Sequence, residues 1–163
     1  MTQATGLDII PATSADVPLI LQLIRELAAY EKLSHEVVAT EGLLHRALFG
    51  DGPPVEALIV RADGEAAGFA LFFHNFSTFL ARPGIYLEDL FVRPAFRGRG
   101  IGKALLKHLA QLACARGCGR LEWAVLDWNK PAIDFYESLG ATAMREWVIN
   151  RVSGEALEKL ARS

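Results

Sequence analysis

The fold turns on the stretch IYLEDLFVRPAFRGRGIGKALLK, Ile85 to Lys107. Its apolar run, Ile85–Val92, has strand length and carries two acids, Glu88 and Asp89. A proline and several arginines and glycines follow, and a helical repeat begins near Ile101. Strand, glycine-rich turn and helix in that order aim the unpaired N–H groups of a helix N-terminus at one point. Together with the positive end of the helix dipole they form a site for an anion, most naturally a phosphate. Gly98, Gly100 and Gly102 have no Cβ to hold a phosphate away, and Arg97, Arg99 and Lys103 add charge. Taken alone, the glycines are equally consistent with a turn that merely starts a helix.

The spacing from Arg97 to Gly102 is Arg-x-x-Gly-x-Gly. It is not a P-loop, because no Ser or Thr follows Lys103. Nor is it a dinucleotide fingerprint, because glycines at 98, 100 and 102 break the Gly-x-Gly-x-x-Gly frame. The acids of the preceding strand point further. Strict alternation sends Glu88 and Leu90 to one face and Asp89 and Phe91 to the other. An unpartnered polar group buried in such a strand costs about 2–7 kcal/mol, and a charged one more. The pair is therefore either a structural hydrogen-bond site or a functional one.

The 163 residues suit one domain, spanning 1–163, with a sizeable core. Hydrophobic content of 52% with 22% charged residues describes a soluble globular protein. A net charge of −2 argues against a nucleic-acid surface and mildly suits a cationic substrate. The first residues carry neither a basic head nor an apolar signal region, and no apolar run approaches a membrane span, so a cytoplasmic location is expected. Cys114 and Cys118, four apart, read as buried thiols, and the four histidines are scattered, so no metal is expected.

Along the chain, Leu7–Pro11 reads as a strand. Thr13 and Ser14 are cap candidates for a helix whose apolar positions recur from Val17 to Ala28 and which runs to about Tyr30. Ser34–Val38 reads as a loop, and Thr40 caps a short helix to about Phe49. Ala57–Arg61 and Ala67–Phe73 are strands around an Asp63-Gly64 hairpin turn. Asn75–Pro83 reads as a connection crowded by Phe72, Phe73, Phe76 and Phe79, as core or as a substrate-facing wall. After the helix from about Gly100 to Arg116 come a strand (Leu121–Leu126), a helix from Asn129 through Ser138 with Pro131 in its first turn, and Gly140 to end it. Ala143–Val152 reads as one or two final strands and Glu155–Ala161 as a closing helix.

The Arg-x-x-Gly-x-Gly turn after YLEDLFV resembles the acetyl-coenzyme-A motif of the GNAT superfamily of N-acetyltransferases. With ELAAYEKL (Glu26–Leu33) and DWNKPAIDFYESLGA (Asp127–Ala141), the chain is similar to the spermidine/spermine (diamine) acetyltransferase branch from about Pro11 to Trp147. The resemblance implies an α/β fold: a mixed, mostly antiparallel central sheet flanked by helices, with a splayed, V-shaped cofactor cleft. It also implies a β-bulge in the central strand. Acetyl-CoA would be the co-substrate, its pantetheine arm pairing with the strand edge at Leu90, Phe91 and Val92. Its pyrophosphate would rest on the turn formed by Arg97, Gly98, Arg99, Gly100, Ile101, Gly102 and Lys103. Asn129, Lys130, Pro131 and Ala132 would make further cofactor contacts. Tyr30, Glu31, Glu88 and Asp89 would line the substrate site, and the family implies a homodimer.

The implied reaction is direct attack of a primary amine on the thioester in a ternary complex. An alkylamine with a pKa near ~10 must first lose a proton. Glu88 is the candidate base, directly or through water, or simply binds the ammonium. Tyr136, one turn inside the helix after Asn129, is the candidate acid for the departing thiolate. Equally, Tyr136 beside Phe135 fits ordinary helix packing, and Tyr30-Glu31 an exposed helix end. Two departures from the branch bear on the substrate: Met144-Arg145-Glu146-Trp147 offers one acid next to an arginine, and Glu122-Trp123-Ala124 differs on the neighbouring strand. A diamine or polyamine and a thialysine- or lysine-like amino acid are equal contenders. The alternative class is an acyl-CoA-binding sensor or interaction module with little catalysis.

Overall fold

A computed structural model of the chain describes residues 6–163. The chain divides into two compact units, one ending at Leu126 and the other running from Asp127 to Ser163. The first unit holds strands β1 (Leu7–Pro11), β2 (Glu56–Ala62), β3 (Glu65–Ser77), β4 (Arg82–Val92) and β5 (Leu121–Glu122). Its helices are α1 (Val17–Tyr30), α2 (Glu41–Phe49) and α3 (Ile101–Ala115). The five strands lie side by side in chain order; β1 to β4 pair antiparallel, and β5 joins β4 in parallel. This is the mixed, mostly antiparallel sheet that the sequence leads one to expect.

Both faces of the sheet are covered. Ile20 and Leu23 of α1 and Leu48 of α2 pack on Ala57, Ile59, Phe69, Leu71 and Phe91. The alternate residues Leu58, Val60, Ala70, Phe72, Ile85 and Leu87 are also buried, and α3 packs on β4 and β5 with Leu105 and Leu109 wholly enclosed. Strands covered twice read as continuous apolar runs, which is why β2 and β3 show no polar alternation in their centres.

Helix ends follow local chemistry. The Asp16 carboxylate accepts the Thr13 N–H at 2.8 Å and fixes the entry to α1. The Thr40 hydroxyl accepts the Leu43 N–H at 3.2 Å at the start of α2. At the end of α1, Lys32 takes a left-handed φ of 61°. The Leu33 N–H then reaches back to the Ala28 carbonyl (2.8 Å) and the Lys32 N–H to Ala29 (3.2 Å), a Schellman stop.

Four expectations need correction. Cys114 is exposed and Cys118 only partly buried, so neither is an enclosed thiol. Asn75–Pro83 is not a connection: β3 continues to Ser77 and β4 begins at Arg82, pairing Asn75 with Gly84 and Phe76 with Pro83. Phe72 is core, whereas Phe79 at the hairpin tip is 94% exposed. Leu121–Leu126 contributes only Leu121 and Glu122 as strand, opposite Ile85 and Tyr86. No strand occurs over residues 143–152, where the Trp147 N–H closes a turn onto the Met144 carbonyl at 3.1 Å. The second unit is helical, with α4 (Lys130–Ser138) and α5 (Gly154–Arg162). Among the described residues no helix is long and apolar enough to cross a membrane.

Candidate active site

β4 carries the site because its two edges differ. One edge pairs with β3 along its whole length, while β5 leaves the other after Tyr86. The sheet is thus splayed beyond that point. The Arg93 N–H goes to the Ala67 carbonyl on the β3 side (2.8 Å). By the alternation of an antiparallel ladder, Phe91 also spends its main-chain groups on β3, and Leu90 and Val92 present theirs to the open edge. One of these, the Val92 carbonyl, accepts the Arg97 Nε–H at 3.0 Å.

Past Val92 the chain makes a short turn, Pro94–Phe96, and then two left-handed residues, Gly98 (φ 78°) and Gly100 (φ 76°), before α3 starts at Ile101. L-residues resist that conformation, so glycine is what lets the chain deliver the α3 N-terminus here. Among the described residues, nothing beyond each glycine's own chain neighbours lies within 4 Å of where a Cβ would stand at Gly98 or Gly100, and the first-turn amides of Ile101, Gly102 and Lys103 have no partner within the helix. The cations around this cradle are unequal. Arg99 is bonded to the Asp63 carboxylate at 2.8 Å and lies over Phe96. The Arg97 guanidinium carbon lies 4.7 Å from the centre of the Tyr30 ring. Lys103 is exposed. The space, the amides and the charge fit a diphosphate.

On the face of β4 turned toward α1 lies a groove of about 420 Å³. Its walls are apolar, with Ile24 and Leu27 of α1 on one side and Leu33, Val37 and Val38 on the other. Its polar lining consists of four carboxylates, Glu31, Glu36, Glu88 and Asp89, with no lysine or arginine among them. Both β4 acids reach it, contrary to strict alternation. Leu71 pairs with Asp89 and Phe72 with Leu87, so Glu88 is the extra residue of a bulge. Tyr86 and Glu88 share the α1 face before the bulge, and Asp89 and Phe91 share it after.

Exclusion of water raises the pKa values of two of these carboxyls, and for Asp89 the neighbouring acids add to it. Asp89 is pushed up to about 6, first by burial and then by Glu88 and Glu31. Glu31 is raised by burial. The Tyr86 phenol is raised by burial, then by Glu88 and Glu122. Near neutral pH the Asp89 carboxyl is thus still mainly ionised, and a cation entering the groove stabilises that form.

The sequence pointed to Tyr30, Glu31, Glu88 and Asp89. The structure brings Glu31, Glu88 and Asp89 into one groove and sets Tyr30 at the end of α1, 38% exposed beneath Arg97. Glu36 and the Val37–Val38 wall were missed. The helical turn Ser34–Glu36 that leads them to the groove carries no periodic signal in three residues. Glu36 also pairs with its neighbour His35, at 3.4 Å.

Tyr136 and Asn129 belong to the second unit. Asn129 is 7% exposed and caps α4, its side-chain oxygen accepting the Ala132 N–H at 3.4 Å. The Lys130 N–H goes to the Trp128 carbonyl at 2.9 Å, Pro131 has none to offer, and the Lys130 Nζ meets the Asp134 carboxylate at 2.8 Å. Tyr136 lies half-buried in α4 with its ring 5.5 Å from that of Phe135.

The profile of the acetyltransferase (GNAT) family matches residues 21–141. The chain is 44% identical over 161 residues to the thialysine N-epsilon-acetyltransferase of Bos taurus, covering 92% of this chain and 94% of the relative. It is 36% identical over 194 residues to the L-ornithine N5-acetyltransferase NATA1 of Arabidopsis thaliana, covering 91% and 85%. An integron cassette protein from the mobile metagenome of V. cholerae superposes with a TM-score of 0.82 at 31% identity, over 98% and 99% of the two chains. An aminoglycoside acetyltransferase from an uncultured soil sample shares the fold, with a TM-score of 0.77 at 21% identity over 92% and 97%. A sheet splayed beside a glycine cradle, a family profile across most of the chain and a relative alike over more than nine-tenths of both chains agree: the chain belongs to the acetyltransferase (GNAT) family.

Proposed function

We propose that this N-acetyltransferase transfers acetyl from acetyl-CoA to a primary amine of a small cationic molecule, either a diamine or polyamine or a lysine-like amino acid such as thialysine or ornithine. The carrying observation is the groove, apolar on its walls and lined by four carboxylates without a basic residue. A carboxylate about 4 Å from an ammonium contributes about 1 kcal/mol in water and several in a partly closed cleft. The relatives that act on thialysine and ornithine support the same substrate class.

The co-substrate's diphosphate would lie against Gly98, Gly100 and the amides of Ile101, Gly102 and Lys103, with charge from Arg97, Arg99 and Lys103. Its pantetheine arm would follow the open edge of β4 through Leu90, Phe91 and Val92, the main-chain groups coming from Leu90 and Val92. A ligand amide chain satisfies such an edge as an added strand does. Asn129, Lys130, Pro131 and Ala132 would complete the contacts. What this chain then contributes is orientation and proton handling. Glu31, Glu88 and Asp89 hold the ammonium, and Tyr30 borders them. Glu88, the bulged and more exposed acid, takes the amine proton directly or through water. The Tyr136 hydroxyl returns a proton to the leaving sulfur, an assignment supported by the family resemblance of α4.

The family profile runs through Leu126 into the second unit, which supports reading 1–163 as one N-acetyltransferase domain. A homodimer belongs to the same reading through the family resemblance, and a cytoplasmic location is proposed beside it. The test is thiol release from acetyl-CoA with putrescine, spermidine, spermine, thialysine, L-lysine and L-ornithine. Amine-dependent release with at least one is expected. Tight acetyl-CoA binding with no release for any of them would instead indicate a sensor or interaction module.

A further inference from the structure

We propose that Arg97 is a positioning residue for the amine groove, acting through Tyr30, beyond any contact with the coenzyme's phosphates. The inference rests on the reading of the groove as the amine site. Glu26 and Tyr30 stand four apart and so share one face at the end of α1. Arg93 and Arg97 stand four apart on the connection from β4 to α3. The residues meet in order. Arg93 holds Glu26 through two bonds, Nε to Oε2 at 2.9 Å and Nη2 to Oε1 at 3.0 Å. Arg97, its Nε anchored on the Val92 carbonyl at 3.0 Å, lies over the Tyr30 ring with its central carbon 4.7 Å from the centroid.

These contacts form a clasp between the phosphate turn and the last turn of α1. Its effect falls on what comes next in the chain. Glu31 is the residue that ends α1, and the left-handed Lys32 folds Leu33 back to Ala28. Glu31, Leu33 and Ala28 all line the groove. Where Tyr30 sits therefore decides where the Glu31 carboxylate and the Leu33 wall sit. A guanidinium suits this task because one planar group donates from its edge while its face lies on an aromatic ring; a lysine ammonium cannot do both.

The experiment is steady-state kinetics of wild type, Arg97→Lys, Tyr30→Leu, Tyr30→Phe and the double variants. The varied amine is the member of the panel above with the highest turnover, and acetyl-CoA is varied separately. Arg97→Lys and Tyr30→Leu should each raise the amine KM about five- to tenfold at saturating acetyl-CoA, the scale of one partly desolvated cation–π contact, with kcat within about twofold. The Arg97→Lys effect should vanish in the Tyr30→Leu background and persist in the Tyr30→Phe background, which keeps the ring. A rise confined to the acetyl-CoA KM, or losses that multiply in the double variant, would overturn the proposal. A second readout is independent of turnover. The Arg97 Nε–H proton resonance, shifted upfield by the Tyr30 ring current, should move downfield in Tyr30→Leu; no such shift overturns the clasp even if wild type acetylates no amine on the panel.

Discussion

Glu88 and Asp89 are consecutive in β4 and still line the same groove, because the register slips between Leu71 and Phe72 on the partner strand. A regular strand would have turned one of them toward α3. The bulge thus doubles the negative charge that β4 offers to a cation, at the point where β5 has left and its edge is open. The cost of that arrangement is borne by Asp89, the less exposed of the two.

That cost is measurable as a pH dependence of stability. Asp89 rises from an ordinary value of 3.8 to about 6. Its folded pKa lies above its unfolded one, so the folded chain binds the proton more tightly. The contribution is fully present below about pH 4 and is lost as pH climbs through about 6. A shift of this size is worth about 3 kcal/mol. Asp89→Asn should therefore gain stability over wild type as pH rises across that window, by about 2–3 kcal/mol, and level off above it. Thermal or urea unfolding at several pH values gives the result, and a difference equal at about pH 4 and about pH 8 would refute the account.

Glu36 supplies a fourth carboxylate from outside the strand, exposed and beside His35. A screened surface charge contributes little, so Glu36→Gln should raise the KM of a dication by about twofold, less for a monoamine, and leave that of acetyl-CoA unchanged. Added salt should shrink the difference. Equal effects on mono- and diamines would mean that Glu36 does not read the second charge.

Gly68 sits opposite Val92 at the end of β4, with no room for a side chain. A Cβ there would collide with the Phe91 carbonyl oxygen and press on Val92. Both are backbone atoms of a strand held on one side only, so relief means pushing β4 outward. Gly68→Ala should cost about 3 kcal/mol in chemical unfolding, the upper range for overpacking, and weaken acetyl-CoA binding. Wild-type stability in this variant would show that the edge is slack.

The sequence made the site legible where local chemistry decides structure. The turn from Arg97 to Gly102, the Thr40 cap and the Asp63-Gly64 hairpin all lie where the sequence indicated, and the acids lie in β4 though not on opposite faces. It was silent where a distant partner decides. Asn75 and Phe76 look like loop residues and are strand because β4 pairs with them. Leu121–Leu126 has the apolar run and length of a strand, yet only Leu121 and Glu122 find β4, since the sheet splays there. The bulge at Glu88 is a mismatch between two strands that leaves no mark in the alternation of either one, and only the family resemblance implied it. Glu36 arrives through a three-residue turn too short to have a period.

The Glu26–Arg93 pair closes the account of how α1 is held. Arg93 donates to both Glu26 oxygens and, through Nη1, to the Ala66 carbonyl at 3.1 Å, so one side chain ties α1 to β3 and β4. The side chains are 24% and 33% exposed, placing the pair between a surface bridge and a buried one. Two-point, charge-assisted geometry argues for the upper part of the surface range, and partial solvent screening against more. Glu26→Gln should cost about 1 kcal/mol, and Arg93→Ala about 2–3 kcal/mol because the Ala66 carbonyl also loses its donor. In a double-mutant cycle by urea unfolding the coupling should be about 1 kcal/mol. If the two losses simply add, the bridge contributes nothing to holding α1, and the position of Glu31 in the groove depends on apolar packing alone.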